Sequence, residues 1–185
     1  MNFTYTERGA SIEVTGADEP NCLVAGGSFP SQEAHIRDAI DRIPEQHLRY
    51  VPTIAIGDRP VSGGGFSAGL IRLNRRTFGA EHNRRYLFTL VHEIGHAVDR
   101  ATHCVVRFQN TTAETGAEWL AFRAIEYRGR NRFPAASSVV DRGGQPVGGT
   151  PRFGEHFAEG YAHLRCSGRH MTPQQSLIIR RLAGL

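Results

Sequence analysis

The sequence contains no lysine; all 22 of its Lys-plus-Arg positions are arginine. Two causes fit that absence. A GC-rich genome favours arginine codons, and a protein that enters a eukaryotic cell escapes ubiquitination if it carries no lysine. Long apolar runs are missing too, and none approaches the roughly 20 residues of a membrane-spanning helix. Met1 to Arg8 lack the apolar core of a secretory signal peptide. The expectation is a cytoplasmic protein, one exported by a machine that reads no signal peptide, or a domain of a longer polypeptide. The three cysteines, Cys22, Cys104 and Cys166, are widely spaced and form no Cys-x-x-Cys pair. That argues against a thiolate zinc site and leaves free thiols or one disulfide. Despite a net charge of +4, acidic residues are interspersed among the arginines, with no basic block interleaved with aromatics. Nucleic acid is therefore not an expected partner.

A hydrophobic content of 39% with 22% charged residues is that of a globular protein, and 185 residues suffice for one core. One domain spanning 1–185 is expected. Ser11–Thr15 alternates and Cys22–Ala25 is apolar, which reads as a small hairpin. Ser31 is a cap for a helix over Gln32–Ile43, with Pro44 as its stop. Tyr50–Ile56 and Ala68–Asn74 read as strands, the second forming a sheet edge beside a cleft. Between them, 57–65 reads as a loop; its three glycines are followed by no lysine, so it is not a phosphate loop. Helices are expected over 81–101, from Thr111 or Thr112 to Tyr127 with Ala117, Leu120, Ala121, Ala124 and Ile125 as its apolar face, from about Pro151, and from Thr172 through Leu182. The Arg-, Gly- and Pro-rich stretch 128–151 reads as a functional or mobile loop.

The chemistry is concentrated in Thr89–Asp99, which contains His92-Glu93-Ile94-Gly95-His96. At about 3.6 residues per turn the two histidines share one helix face and can converge on one metal ion. Glu93 stands beside them, placed to take a proton from water. Leu87, Phe88, Leu90, Val91, Ile94, Ala97 and Val98 give that helix a buried face. Gly95, a poor helix former, suggests that something approaches the backbone closely there.

A catalytic zinc takes three protein ligands and keeps one position open. The longer pattern with a third histidine is excluded, because Asp99 and Thr102 occupy the glycine and histidine positions it requires. The third ligand is then a downstream carboxylate. Two pairs compete, Glu114 with Glu118 and Glu155 with Glu159, both at i, i+4 spacing. Like charges at that spacing are mildly destabilising on a solvated helix, so each pair calls for a reason.

The segments Val91–Asp99 and Glu155–Tyr161 together resemble the catalytic domain of the anthrax lethal factor-like peptidases, a Glu-zincin family that includes the bacterial Pro-Pro endopeptidases. The family's motifs are His-Glu-x-x-His and a later Glu-x-Phe-Ala-Glu followed by a small and an aromatic residue. The resemblance implies His92, His96 and Glu155 as Zn2+ ligands and Glu93 as general base. Glu159 and Asp99 become carboxylates that support the ligands from behind. It also implies an α+β, zincin-like domain: a twisted mixed sheet with an edge strand over the cleft, packed against the active-site helix and C-terminal helices. Where the family has a tyrosine that hydrogen-bonds the oxyanion, this chain has Gly148. Tyr161, His156 and His163 are other candidate donors, without an assignment.

The expected function is zinc-dependent endopeptidase action on a protein or peptide substrate. A secreted bacterial effector or toxin is implied, with an immunity or chaperone protein as a further partner. A housekeeping peptidase or aminopeptidase, a non-catalytic zinc-binding interaction module, and a structural domain with a chance motif are the alternatives.

Overall fold

The computed structural model describes residues 2–17, 23–24, 27–28, 32–57, 64–67, 69–75, 83–113, 115–125, 153–166 and 171–185. Among the described residues the architecture is mixed α+β, with a five-stranded mixed sheet and seven helices. Strands β1 (Phe3–Tyr5) and β2 (Ile12–Thr15) pair antiparallel, with Phe3 opposite Val14. The turn between them uses left-handed backbone at Arg8 and Gly9 (φ 51° and 72°). Arg8 is held there because its guanidinium donates to the carbonyls of Ile40 and Ile43, at 2.7 and 2.9 Å, at the end of the following helix.

Two short strands, β3 (Leu23–Val24) and β4 (Gly27–Ser28), pair with each other in a separate two-stranded sheet. The expected hairpin of 11–15 with 22–25 is thus replaced by two separate hairpins. Helix α1 (Gln32–Asp41) and the single turn α2 (Glu45–Leu48) carry the chain across to β5 (Thr53–Gly57), which runs parallel to β2. A parallel pair needs such a crossover. The cap expected at Ser31 lies outside the described residues.

The sheet order is β1-β2-β5-β7-β6, with β6 at Gly64–Ser67 and β7 at Leu70–Asn74. β7 pairs parallel with β5 and antiparallel with β6. This corrects the expectation that residues 68–74 form the edge. β7, at Leu70–Asn74, lies inside the sheet, and the edge is β6, whose Gly64 and Gly65 read as loop. Gly has little intrinsic preference for a strand, so pairing with β7 supplies what propensity does not. Ile54, Ile56, Ile71 and Leu73 alternate onto the buried face, each side chain stabilising by about 1.5–3 kcal/mol.

Helix α3 (Asn83–Thr102) buries Leu90, Val91, Ile94, Ala97 and Val98 and packs against α1, β6, β7 and α6 (Phe153–Cys166). After α3 the chain turns at His103 into α4 (Cys104–Thr111), then continues to α5 (Ala117–Arg123). Thr111 and Thr112 therefore end α4 rather than cap α5, which starts at Gly116 without a side-chain cap. Leu120 is 55% exposed; Ile125 is buried as expected, and Trp119 and Phe122 also face inward. Trp119 and Phe122 pack with Phe108, and Trp119 also meets Phe153 edge-on. Aromatic contacts won over the aliphatic register.

Helix α7 (Pro173–Ala183) begins as the sequence predicts. The Thr172 hydroxyl accepts from the Gln175 amide, and the Gln175 side chain accepts from the Thr172 amide. No helix among the described residues is long and apolar enough to cross a membrane.

Candidate metal centre

Helices α3 and α6 cross at Gly95. A Cβ placed on Gly95 would lie 2.9 Å from the Ala158 Cα, so only glycine lets the two backbones approach this closely. The crossing brings a face of α6 carrying Glu155, Glu159 and His163, spaced by four, onto the histidine face of α3.

Glu155 Oε2 lies 3.3 Å from His92 Nε2 and 3.3 Å from His96 Nε2. All three ligand atoms fall within 4.8 Å of one another. Ligands about 2.0–2.2 Å from a tetrahedral zinc stand roughly 3.4 Å apart, so the spacing and the N, N, O donor set fit such an ion. The two rings meet at 83° with centroids 4.8 Å apart.

The electrostatics favour a cation there. Burial opposes a charge on His92, yet hydrogen bonds to Glu155 and Glu159 and the nearby Glu93 outweigh it and raise its pKa to about 9. Burial also opposes ionisation of Glu155, but hydrogen bonds from His92 and His96 hold its carboxyl well below the usual carboxylate range. His92 thus stands among carboxylates, and Glu155 is held in its charged form.

Glu93 is 7% exposed, and burial holds its carboxyl above the ordinary range. The charges of His92 and His96 and a hydrogen bond from the Phe66 backbone N–H act the other way. Edge strand β6 supplies that bond by lying directly over α3. A Cβ on Gly64 would come 2.8 Å from Thr89 Cγ2 and 3.2 Å from Glu93 Oε1.

Glu159 is 2% exposed, with Oε2 3.1 Å from His92 Nδ1 on the far side of that ring. Asp99 uses Oδ1 at the start of α4, accepting from the Val105 amide at 3.0 Å and the Cys104 thiol at 3.3 Å. Its Oδ2 borders the space beside Gly154 that His96 Nδ1 also borders. Burial, with Asp99 close by, pushes the Cys104 thiol up to about 12.

The rival Glu118 is elsewhere, pairing with Arg181 at the α5–α7 surface. Glu114 and Gly148 lie outside the described residues. Of the other oxyanion candidates, Tyr161 is fully buried and its hydroxyl bonds to His47 Nδ1 at 2.8 Å, facing away from the cluster. His156 Nδ1 is 3.0 Å from the Ile125 carbonyl. His163 lies behind Glu159. Sequence reasoning gave no position-specific role to Gly64 or Phe66, and named His163 only as a candidate oxyanion donor. For His163 a signal existed, since it stands four residues after Glu159 on the same face.

No family model matches this chain, and searches of curated proteins and of solved structures also found no match.

Proposed function

We propose that the protein is a zinc-dependent endopeptidase. The observation that carries the reading is the convergence of His92 Nε2, His96 Nε2 and Glu155 Oε2, with the buried Glu93 on the same helix. His92, His96 and Glu155 would hold the ion. Bound there, zinc supplies Lewis acidity toward a peptide carbonyl and makes water more acidic. Glu93 takes the proton of the attacking water and passes it to the departing amine. Its raised pKa brings it nearer the range where both transfers are efficient. β6 is the last strand of its sheet and passes over Glu93, so an extended peptide can pair with its backbone and lie across the cluster.

The likeness to lethal factor-like peptidases and the absence of lysine support a zincin-like effector or toxin acting in another cell. A second reading, a non-catalytic metal-binding module, draws on the engagement of Tyr161 and His156 away from the cluster.

Cleavage of a peptide library by wild type and by Glu93→Gln, with zinc content measured on both, separates the two readings. The endopeptidase reading expects internal cleavage by wild type alone and equal zinc in both proteins. A zinc-loaded wild type that cleaves nothing favours the binding module. Full activity in Glu93→Gln removes Glu93 from the mechanism.

A further inference from the structure

We infer that Arg100 sets the substrate preference of this site, selecting a peptide with an acidic side chain about two residues from the bond to be cleaved. The inference rests on the endopeptidase reading above. His92, His96 and Arg100 follow one another at four-residue spacing, so Arg100 continues the histidine stripe of α3 by one turn. Arg100 is exposed, and its guanidinium carbon lies 5.8 Å from the centre of the Phe66 ring on edge strand β6. That distance is within reach of a cation–π contact, which holds the long side chain against the strand.

Strand and helix run alongside one another. Gly64 lies over Thr89 and Glu93, the Phe66 amide donates to Glu93, and the Phe66 ring reaches Arg100. β6 thus leads from Glu93 to the guanidinium. Four helical residues advance about 6 Å, and a strand advances about 3.3 Å per residue. A peptide that lies along β6 with its scissile carbonyl at the cluster therefore brings a side chain about two residues away to Arg100. A guanidinium over a ring keeps N–H donors for a planar acceptor, and a carboxylate takes two of them. Asp99, the neighbour in sequence, spends Oδ1 on the Val105 amide at the start of α4. At the bond itself Glu93 and Glu155 disfavour a second carboxylate, which leaves the Arg100 end of β6 as its place.

The test measures kcat/KM on a sequence that the peptide library shows to be cut, with Glu or Gln placed two residues before or two residues after the bond. All these peptides are blocked at both ends. Wild type is expected to favour Glu by about 5–10-fold at one of the two places, between the effect of an exposed ion pair and that of a charged hydrogen bond. The preference should shrink as salt is raised. Arg100→Met keeps an unbranched stem over Phe66 without the charge, and the Glu-to-Gln ratio should fall to about one. Arg100→Glu should turn the preference toward a peptide with Lys at the same place. Arg72→Met is the control: Arg72 bonds Ser67 on the other face of the sheet, and its loss should keep the wild-type ratio.

Equal ratios in wild type and Arg100→Met overturn the inference alone. A ratio lost as fully in Arg72→Met also overturns it, since overall charge would then be the cause. If Arg100→Met does not fold, Arg100→Gln decides the same question against Arg100→Lys, which keeps the charge and should keep most of the preference. One further peptide ends in a free carboxylate two residues after the bond. If Arg100→Met weakens cleavage of that peptide alone, the carboxylate belongs to a chain end and the inference of an acidic side chain falls. A zinc-loaded wild type that cuts no peptide internally overturns the endopeptidase reading and this inference with it.

Discussion

On α5, Glu118 closes an exposed two-pronged ion pair with Arg181, at 2.7 and 3.0 Å. On α6, Glu155 lies between two imidazoles, and Glu159 is buried behind one of them. Both glutamates stand in helices that follow the His-Glu-x-x-His segment, each in a pair spaced by four. What separates them is the surface that each helix meets. α5 turns aromatic residues inward and leaves Glu118 in solvent, where its pair with Arg181 is screened and weak. α6 meets α3 where Gly95 allows backbone contact, and its acidic face is pressed onto the histidines. Spacing announces that a carboxylate pair needs a reason; helix approach decides what the reason is.

The largest effect expected on the α3–α6 side is in turnover. Glu93→Gln should lower peptide cleavage by about 10²–10⁴-fold while zinc stays bound, as read by steady-state kinetics with elemental analysis. Gly95→Ala tests the crossing itself. The added Cβ meets the Ala158 backbone, and separating the helices should cost about 1–3 kcal/mol in chemical denaturation and weaken zinc binding.

The other end of α6 gives a pH effect. His47 donates from Nε2 to the Ala183 carbonyl and accepts at Nδ1 from the Tyr161 hydroxyl, so its buried ring is neutral in the fold. Burial lowers its pKa below the ordinary 6.5, partly offset by the Ala183 bond. The unfolded chain then binds the proton first as pH falls. Its contribution to stability is complete above pH 6.5 and is lost as pH falls from there toward the folded pKa. Melting curves at stepped pH should show that decline, reduced in His47→Gln. The smallest effect belongs to α5: Glu118→Gln should cost no more than about 0.2–1 kcal/mol in the same melts and leave zinc binding unchanged.

Much of the site was legible because its chemistry is local. His92, Glu93 and His96 follow one helix period, and the Thr172–Gln175 capping box starts α7 as its residues require. What was not legible depended on contacts between distant segments. Gly64–Ser67 becomes an edge strand only because β7 pairs with it and α3 lies beneath it. The inward face of α5 is decided by Trp119 and Phe122 meeting Phe108 and Phe153, none of which its seven residues reveal. Helix α4, entered through left-handed backbone at His103, occupies a stretch in which the sequence suggested no helix.

The central claim is that Glu155, and not Glu118, joins His92 and His96 to hold zinc. Equilibrium zinc binding to wild type, Glu155→Gln and Glu118→Gln tests it most directly. The account predicts one zinc per chain in wild type and in Glu118→Gln with equal affinity. For Glu155→Gln it predicts a loss beyond the roughly 100-fold upper end for an outer partner. Unchanged affinity in Glu155→Gln, or a collapse in Glu118→Gln, would contradict it.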